Sequence, residues 1–186
     1  MPNSINGWPV LEGGYGDPRL KTLPIPGCPS RKLTLRAEVL PLFLALASDY
    51  HRMIAPLDQG AWDEWSYSLR PARTSSSWSN HSSGTAVDLN ASAEGARGTA
   101  SAGWWRTARR NIKAWRIRRR YEIVNWGGWA EYADDPHTPQ REGWEAAWSD
   151  PMHWELKSGT TLADVQRVIA RLGIQPDGTR VKPGKR

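Results

Sequence analysis

Two short motifs limit what this chain can fold into. Ser79-Asn-His81-Ser-Ser-Gly84-Thr-Ala86-Val-Asp88 is followed some 60 residues later by Asp150-Pro-Met-His153-Trp-Glu155. Together they supply two imidazoles, a carboxylate to join them and a further carboxylate nearby. Those are the parts of a catalytic zinc site: three protein ligands, an open position for water and a base. A chain that uses them must bring the second motif back against the first.

His81 and Asp88 are too far apart to share one straight strand face, and Gly84 lets the backbone turn between them and pass close to a metal. Ser79 is placed to support that turn by hydrogen bonding. Residues 84 to 90 read as a strand in which alternation puts Ala86 and Asp88 on one face. His153 supplies a third ligand, and Asp150, across a proline, enters the same strand near the metal. Glu155 shares the face of His153, placed to orient a ligand or to point at substrate, and Trp154 between them is a further candidate to support a ligand or contact substrate. Spacing alone also fits histidines hydrogen-bonded in a core.

At 186 residues the chain supports one good core and not two comfortable domains. Its 39% apolar and 24% charged content is that of a globular protein. The first residues carry neither a basic nor an apolar signal region, and no apolar run approaches the roughly 20 residues of a membrane span. The expectation is a chain made in the cytoplasm. A single cysteine, Cys28, excludes an intrachain disulfide and a thiolate zinc site; it reads as a partly buried loop residue. The net charge of +6 is concentrated, because residues 104 to 120 hold eight Lys or Arg and no acid. Such a stripe suits a polyanionic partner.

Residues 1 to 32, rich in Gly and Pro, read as an extended N-terminal arm of a zinc-binding domain that runs to about residue 175. Val39, Leu42, Phe43, Leu46, Tyr50, Met53 and Ile54 recur at helical spacing over 38–55, and Pro56 ends that helix. A basic helix over 104–119 has Trp105, Ala108, Ile112 and Trp115 as its apolar stripe. Tyr121 to Trp126 and residues 152 to 156 read as strands. Residues 129 to 147 form an acidic loop with a short helix near Glu142. Thr161-Leu-Ala-Asp164 resembles a capping box that opens a helix with Leu162, Val165, Val168, Ile169 and Leu172 buried and Gly173 as its stop. Residues 176 to 186 read as a basic, disordered tail. Short strands mixed with helices indicate an α+β domain with a central antiparallel sheet flanked by helices.

The pattern Ser-x-His-x-x-Gly-x-Ala-x-Asp followed by Asp-x-x-His resembles the superfamily of zinc D-alanyl-D-alanine carboxypeptidases and L-alanyl-D-glutamate peptidases. Closer still, the chain resembles peptidase endolysins of bacteriophages that infect actinobacteria. The resemblance rests on Asn6-Gly-Trp-Pro9, Pro56-Leu-Asp58, Asp63-Glu-Trp65, Arg70-Pro-x-Arg73, Ser79 through Asn90, Trp126-Gly-Gly128 and Asp150 through Glu155. It implies a Hedgehog/DD-peptidase-like fold with His81, Asp88 and His153 as ligands of Zn2+. It implies Asp150 as the catalytic carboxylate and Arg70 or Arg73 as the guanidinium that holds substrate and steadies the oxyanion. The activity implied is metal-assisted hydrolysis of an amide in the peptidoglycan stem peptide. The setting implied is the host wall, reached after holin-type release by an enzyme without a membrane span, expected to be a monomer. A second Asp-x-His, Asp135-Pro136-His137, mimics the ligand motif, but Thr138-Pro139 breaks a strand there.

Three rival readings share these residues. A D,D-carboxypeptidase would use the same site to trim the terminal D-alanine. A catalytically silent wall- or protein-binding module would keep the zinc without hydrolysis. Nucleic-acid binding through Trp104 to Arg120 would pair phosphates and stack bases; the preferred reading of that segment is an amphipathic helix whose arginines face solvent or an anionic wall polymer, so no nucleic acid is expected.

Overall fold

The computed structural model describes residues 1–57, 63–72, 76–91, 108–127 and 152–181. At its centre is helix α1, Leu40–Met53. The apolar stripe expected there is present, but Leu40, Leu44, Ala45 and Ala47 are buried as well. A helix apolar on nearly every side must be wrapped by the rest of the fold rather than laid against one surface. Pro41 sits in its first turn, where a missing N–H costs no helical bond.

The first layer around α1 comes from the region expected to be an extended arm. Strands β1, Leu20–Ile25, and β2, Cys28–Arg36, form an antiparallel hairpin that starts at Leu20↔Arg36 and is irregular after Pro24. Ile25, Leu33 and Leu35 are buried in the same core as α1. Cys28 is not a loop residue: it opens β2 and is buried.

The second layer is a three-stranded antiparallel sheet of β3, Ala86–Asp88, β4, Val124–Trp126, and β5, His153–Leu156, in the order β3-β5-β4. One face of it is core. Val87, Trp154 and Trp126 are buried there, with the Trp126 and Trp154 rings stacked at 5.7 Å and Tyr50 of α1 edge-on to Trp154. Residues 63–68 tie the two layers together. Trp65 exchanges backbone hydrogen bonds with Asp88, while the Tyr67 N–H donates to the Thr34 carbonyl of β2.

Helix α2, Ala108–Arg120, precedes β4. Among its described side chains Ala114 and Ile117 are buried, continued by Tyr121, whereas Ile112 and Trp115 of the expected stripe are only half-buried and Trp105 lies outside the described residues. Trp115 instead lies beneath the Arg119 guanidinium at 4.8 Å, a cation–π contact that leaves an aromatic ring at the surface. Helix α3, Leu162–Leu172, starts at Thr161, whose hydroxyl accepts the Asp164 N–H at 3.2 Å while the Asp164 carboxylate accepts the Thr161 N–H at 3.1 Å. Val165 and Val168 are buried and Ile169 and Leu172 pack partly buried against the same core; Leu162, expected in the stripe, is 40% exposed.

Residues 176–181 of the segment expected to be a disordered tail are ordered. Ile174 pairs with Arg180 across a turn, and Arg180 reaches the buried Asp49 of α1. Gly178, with a positive φ, seats that turn so closely on α1 that any side chain there would collide with Leu44. The whole is an α+β arrangement, and among the described residues no helix is long and apolar enough to cross a membrane. The short helix expected near Glu142 lies outside the described residues.

Candidate metal centre

Register places the site. β3 pairs with β5 so that Asp88 faces His153 and Ala86 faces Glu155. Directly opposed residues in an antiparallel pair project to the same side. Asp88, His153 and Glu155 therefore share the sheet face opposite the Trp154 core. Trp154, offered as a supporting or substrate-contacting residue, is fully buried in that core and does not face the site.

His81 arrives from a loop built of its own hydrogen bonds. The Ser82 N–H donates to the Ser79 carbonyl at 2.9 Å, the Gly84 N–H to the His81 carbonyl at 3.0 Å, and the Ser79 hydroxyl accepts the His81 N–H at 3.3 Å. Asn6 clamps this loop to β5. Its N–H donates to the Asn80 side chain at 2.9 Å, and its amide donates to the Thr85 hydroxyl at 2.9 Å and the Leu156 carbonyl at 3.2 Å. Gly84 has φ +67°, and a Cβ there would lie 2.6 Å from the Arg36 backbone nitrogen. Its smallness thus serves the packing of the loop on β2, not the close approach to a metal expected from sequence.

The donors converge. His81 Nε2 lies 3.3 Å from His153 Nδ1 and 3.4 Å from Asp88 Oδ2, and His153 Nδ1 lies 2.8 Å from Asp88 Oδ1. One ligand atom from each residue falls within 4.8 Å of the others. Tetrahedral ligands at zinc–nitrogen distances of about 2.0–2.1 Å stand roughly 3.3 Å from one another, so the spacing fits that metal. His81 and Asp88 are buried, whereas the His153 side chain keeps 19% of its exposure.

The outer hydrogen bonds fix which nitrogens are free. His81 Nδ1 contacts the Ser66 carbonyl at 2.5 Å, and His153 Nε2 contacts Glu155 Oε2 at 2.8 Å. A carbonyl and a carboxylate only accept, so those nitrogens carry the hydrogens. The lone pairs of His81 Nε2 and His153 Nδ1 are then aimed at the shared space, the arrangement that orients metal-binding imidazoles. Asn80 in turn donates to Glu155 Oε2 at 2.5 Å.

The electrostatics agree. Burial alone would raise the Asp88 carboxyl, but the charge of His81 and the hydrogen bonds of His153 and His81 outweigh it and hold the group well below the usual carboxylate range. Burial alone would lower His153, but its hydrogen bonds to Asp88 and Glu155 prevail and hold it well above its ordinary value. The pocket favours positive charge between these groups, which a divalent cation bound by His81, Asp88 and His153 would supply.

Arg70 leaves the same loop system. Its N–H donates to the Ser82 hydroxyl at 2.9 Å, and its carbonyl accepts the Ser79 N–H at 3.2 Å. Its backbone is thereby fixed beside the loop that carries His81, and its side chain is half-buried. Arg73, Asp150 and His137 lie outside the described residues. His51 of α1 is half-buried and accepts the Leu57 N–H on Nδ1 at 3.0 Å.

Sequence reasoning missed three contributors. The Ser66 carbonyl fixes the His81 tautomer, and Asn80 holds the Glu155 carboxylate that fixes that of His153; nothing in residue type separates Ser66 and Asn80 from their neighbours. Trp65 is the third. It pairs with Asp88, so it projects to the ligand face, and it is 48% exposed. A large aromatic left open next to a metal centre offers a surface for substrate.

No curated protein and no solved structure matches the chain. A family model described as D-alanyl-D-alanine carboxypeptidase matches residues 72–139. That span carries His81 and Asp88 and stops before His153, which the geometry alone brings to them. With the convergent His81, Asp88 and His153, the match supports a protein of the zinc peptidase superfamily.

Proposed function

We propose that this chain is a zinc peptidase that hydrolyses an amide bond in the peptidoglycan stem peptide, serving as a phage endolysin in lysis of the host wall. The observation that carries the metal-dependent reading is the pair of imidazoles whose free nitrogens are turned toward Asp88 by Ser66 and Glu155. His81, Asp88 and His153 would hold the zinc. When bound, the ion would act as a Lewis acid on the scissile carbonyl and lower the pKa of water to about 7.

The remaining work falls to the chain's own groups. Asp150, three residues before His153 in sequence, would accept the water proton and pass it to the departing amine. Arg70 or Arg73 binds the substrate and the developing oxyanion through a planar guanidinium. Trp65 forms an apolar wall on the ligand face against which the substrate lies.

A second reading is a carboxypeptidase that removes the terminal D-alanine, favoured by the description of the matching family. Mass spectrometry of peptidoglycan digested with the zinc-loaded protein separates the two. A new amine inside the stem peptide supports the endopeptidase, and release of free D-alanine supports the carboxypeptidase. Wall left intact by protein shown to contain zinc would overturn both.

A further inference from the structure

On another part of the molecule, a pocket of about 710 Å³ is lined by Arg52, Arg120, Arg171 and Arg180 with Asp49 among them. We propose that this pocket is an anion-binding site that takes a phosphate group.

Charge and donors both exceed what the pocket itself can satisfy. Four guanidiniums face one carboxylate, an excess of three positive charges among the described lining residues. Asp49 accepts from Arg52, Arg120, Arg180 and the Tyr121 hydroxyl, and its side chain is only 2% exposed. Arg171 donates to the Arg120 carbonyl at 2.8 Å and stands 3.8 Å from Glu122, which is itself engaged by Arg167. A guanidinium has five N–H donors. Among the described residues, Arg52 directs one hydrogen bond to Asp49 and is otherwise open, with 64% of its side chain exposed.

The site is built rather than accidental. Asp49 anchors it from inside α1, and the turn at Gly178, pressed onto Leu44, delivers Arg180 across Asp49. Arg120 comes from the end of α2 and Arg171 from the last turn of α3. Three helices and the C-terminal turn thus bring four guanidiniums to a space whose described lining holds the single carboxylate of Asp49, an imbalance that a bound anion would relieve. Phosphate suits it better than a single carboxylate, because it carries up to two charges and offers several oxygens to planar guanidiniums. The inference does not depend on the peptidase reading, since none of these residues belongs to the metal centre.

The test is calorimetric titration of the zinc-loaded full chain with inorganic pyrophosphate, in parallel with the Arg52→Gln/Arg171→Gln double variant. Both arginines are substantially exposed, so the variant should fold and cleave soluble stem peptide as the parent does. Saturable binding by the parent, weakened about tenfold or more in the variant, is expected from loss of charge-assisted contacts. Displacement of pyrophosphate by poly(glycerol phosphate) would assign the group to a polymer, and displacement by small phosphate monoesters alone to a free ligand; either supports the site. No saturable binding, equal binding by the variant, or binding to anionic lipid vesicles that pyrophosphate does not compete would overturn it.

Discussion

Glu155 accepts the Nε2 hydrogen of His153 at 2.8 Å from two residues along the same strand. The carboxylate fixes the ring so that Nδ1, not Nε2, meets Asp88. Glu155→Ala should therefore weaken zinc binding by roughly 10- to 100-fold while leaving the fold intact. Competition against a chromophoric chelator measures this, and unchanged affinity would remove Glu155 from the site's architecture.

Trp65 projects from the strand position opposite Asp88. Trp65→Ala should leave zinc affinity alone and raise KM for stem peptide several-fold, given about 0.5–1.5 kcal/mol for an aromatic contact. A fall in kcat at constant KM would point to a role other than binding.

Gly84 tolerates no side chain. Its positive φ and the 2.6 Å approach of a Cβ to the Arg36 nitrogen predict that Gly84→Ala destabilises by at least about 2 kcal/mol. Thermal unfolding should show a clear drop, and a melting temperature equal to the parent's would contradict the loop packing described.

Glu64 provides a pH signature. Burial and the neighbouring Asp63 push its carboxyl up to about 7, against the opposing pull of Arg31 at 2.9 Å. An acid with a raised folded pKa binds more protons when folded. Its contribution is complete below its unfolded value and is lost as pH rises through about 7, by up to about 3 kcal/mol. Glu64→Gln should gain stability relative to the parent between about pH 5 and pH 8. A difference that does not change with pH would contradict this assignment.

Much of the site was legible because its chemistry is carried by rare residue types in a rigid spacing. His81 and His153 are two of only four histidines, Asp88 follows His81 within one motif, and the strand pattern around His153 separates it from His137. Helix α3 was legible from its cap and stop. The β1–β2 hairpin was hidden by Pro24, Pro26 and Pro29, which interrupt the alternation of a strand, although Leu33 and Leu35 keep it. The buried stripe of α2 was misplaced because Trp115 looked like core, whereas Arg119 covers it from outside. Trp65 and Asn80 could not be found without the register, since what matters is which residue lies opposite Asp88 and which reaches Glu155.

His81, Asp88 and His153 are the three ligands that the proposed zinc would have. Zinc content measured by mass spectrometry after exhaustive dialysis should be stoichiometric in the parent and in His137→Ala, and lost in His153→Ala. Zinc retained by His153→Ala but lost by His137→Ala would contradict the centre described.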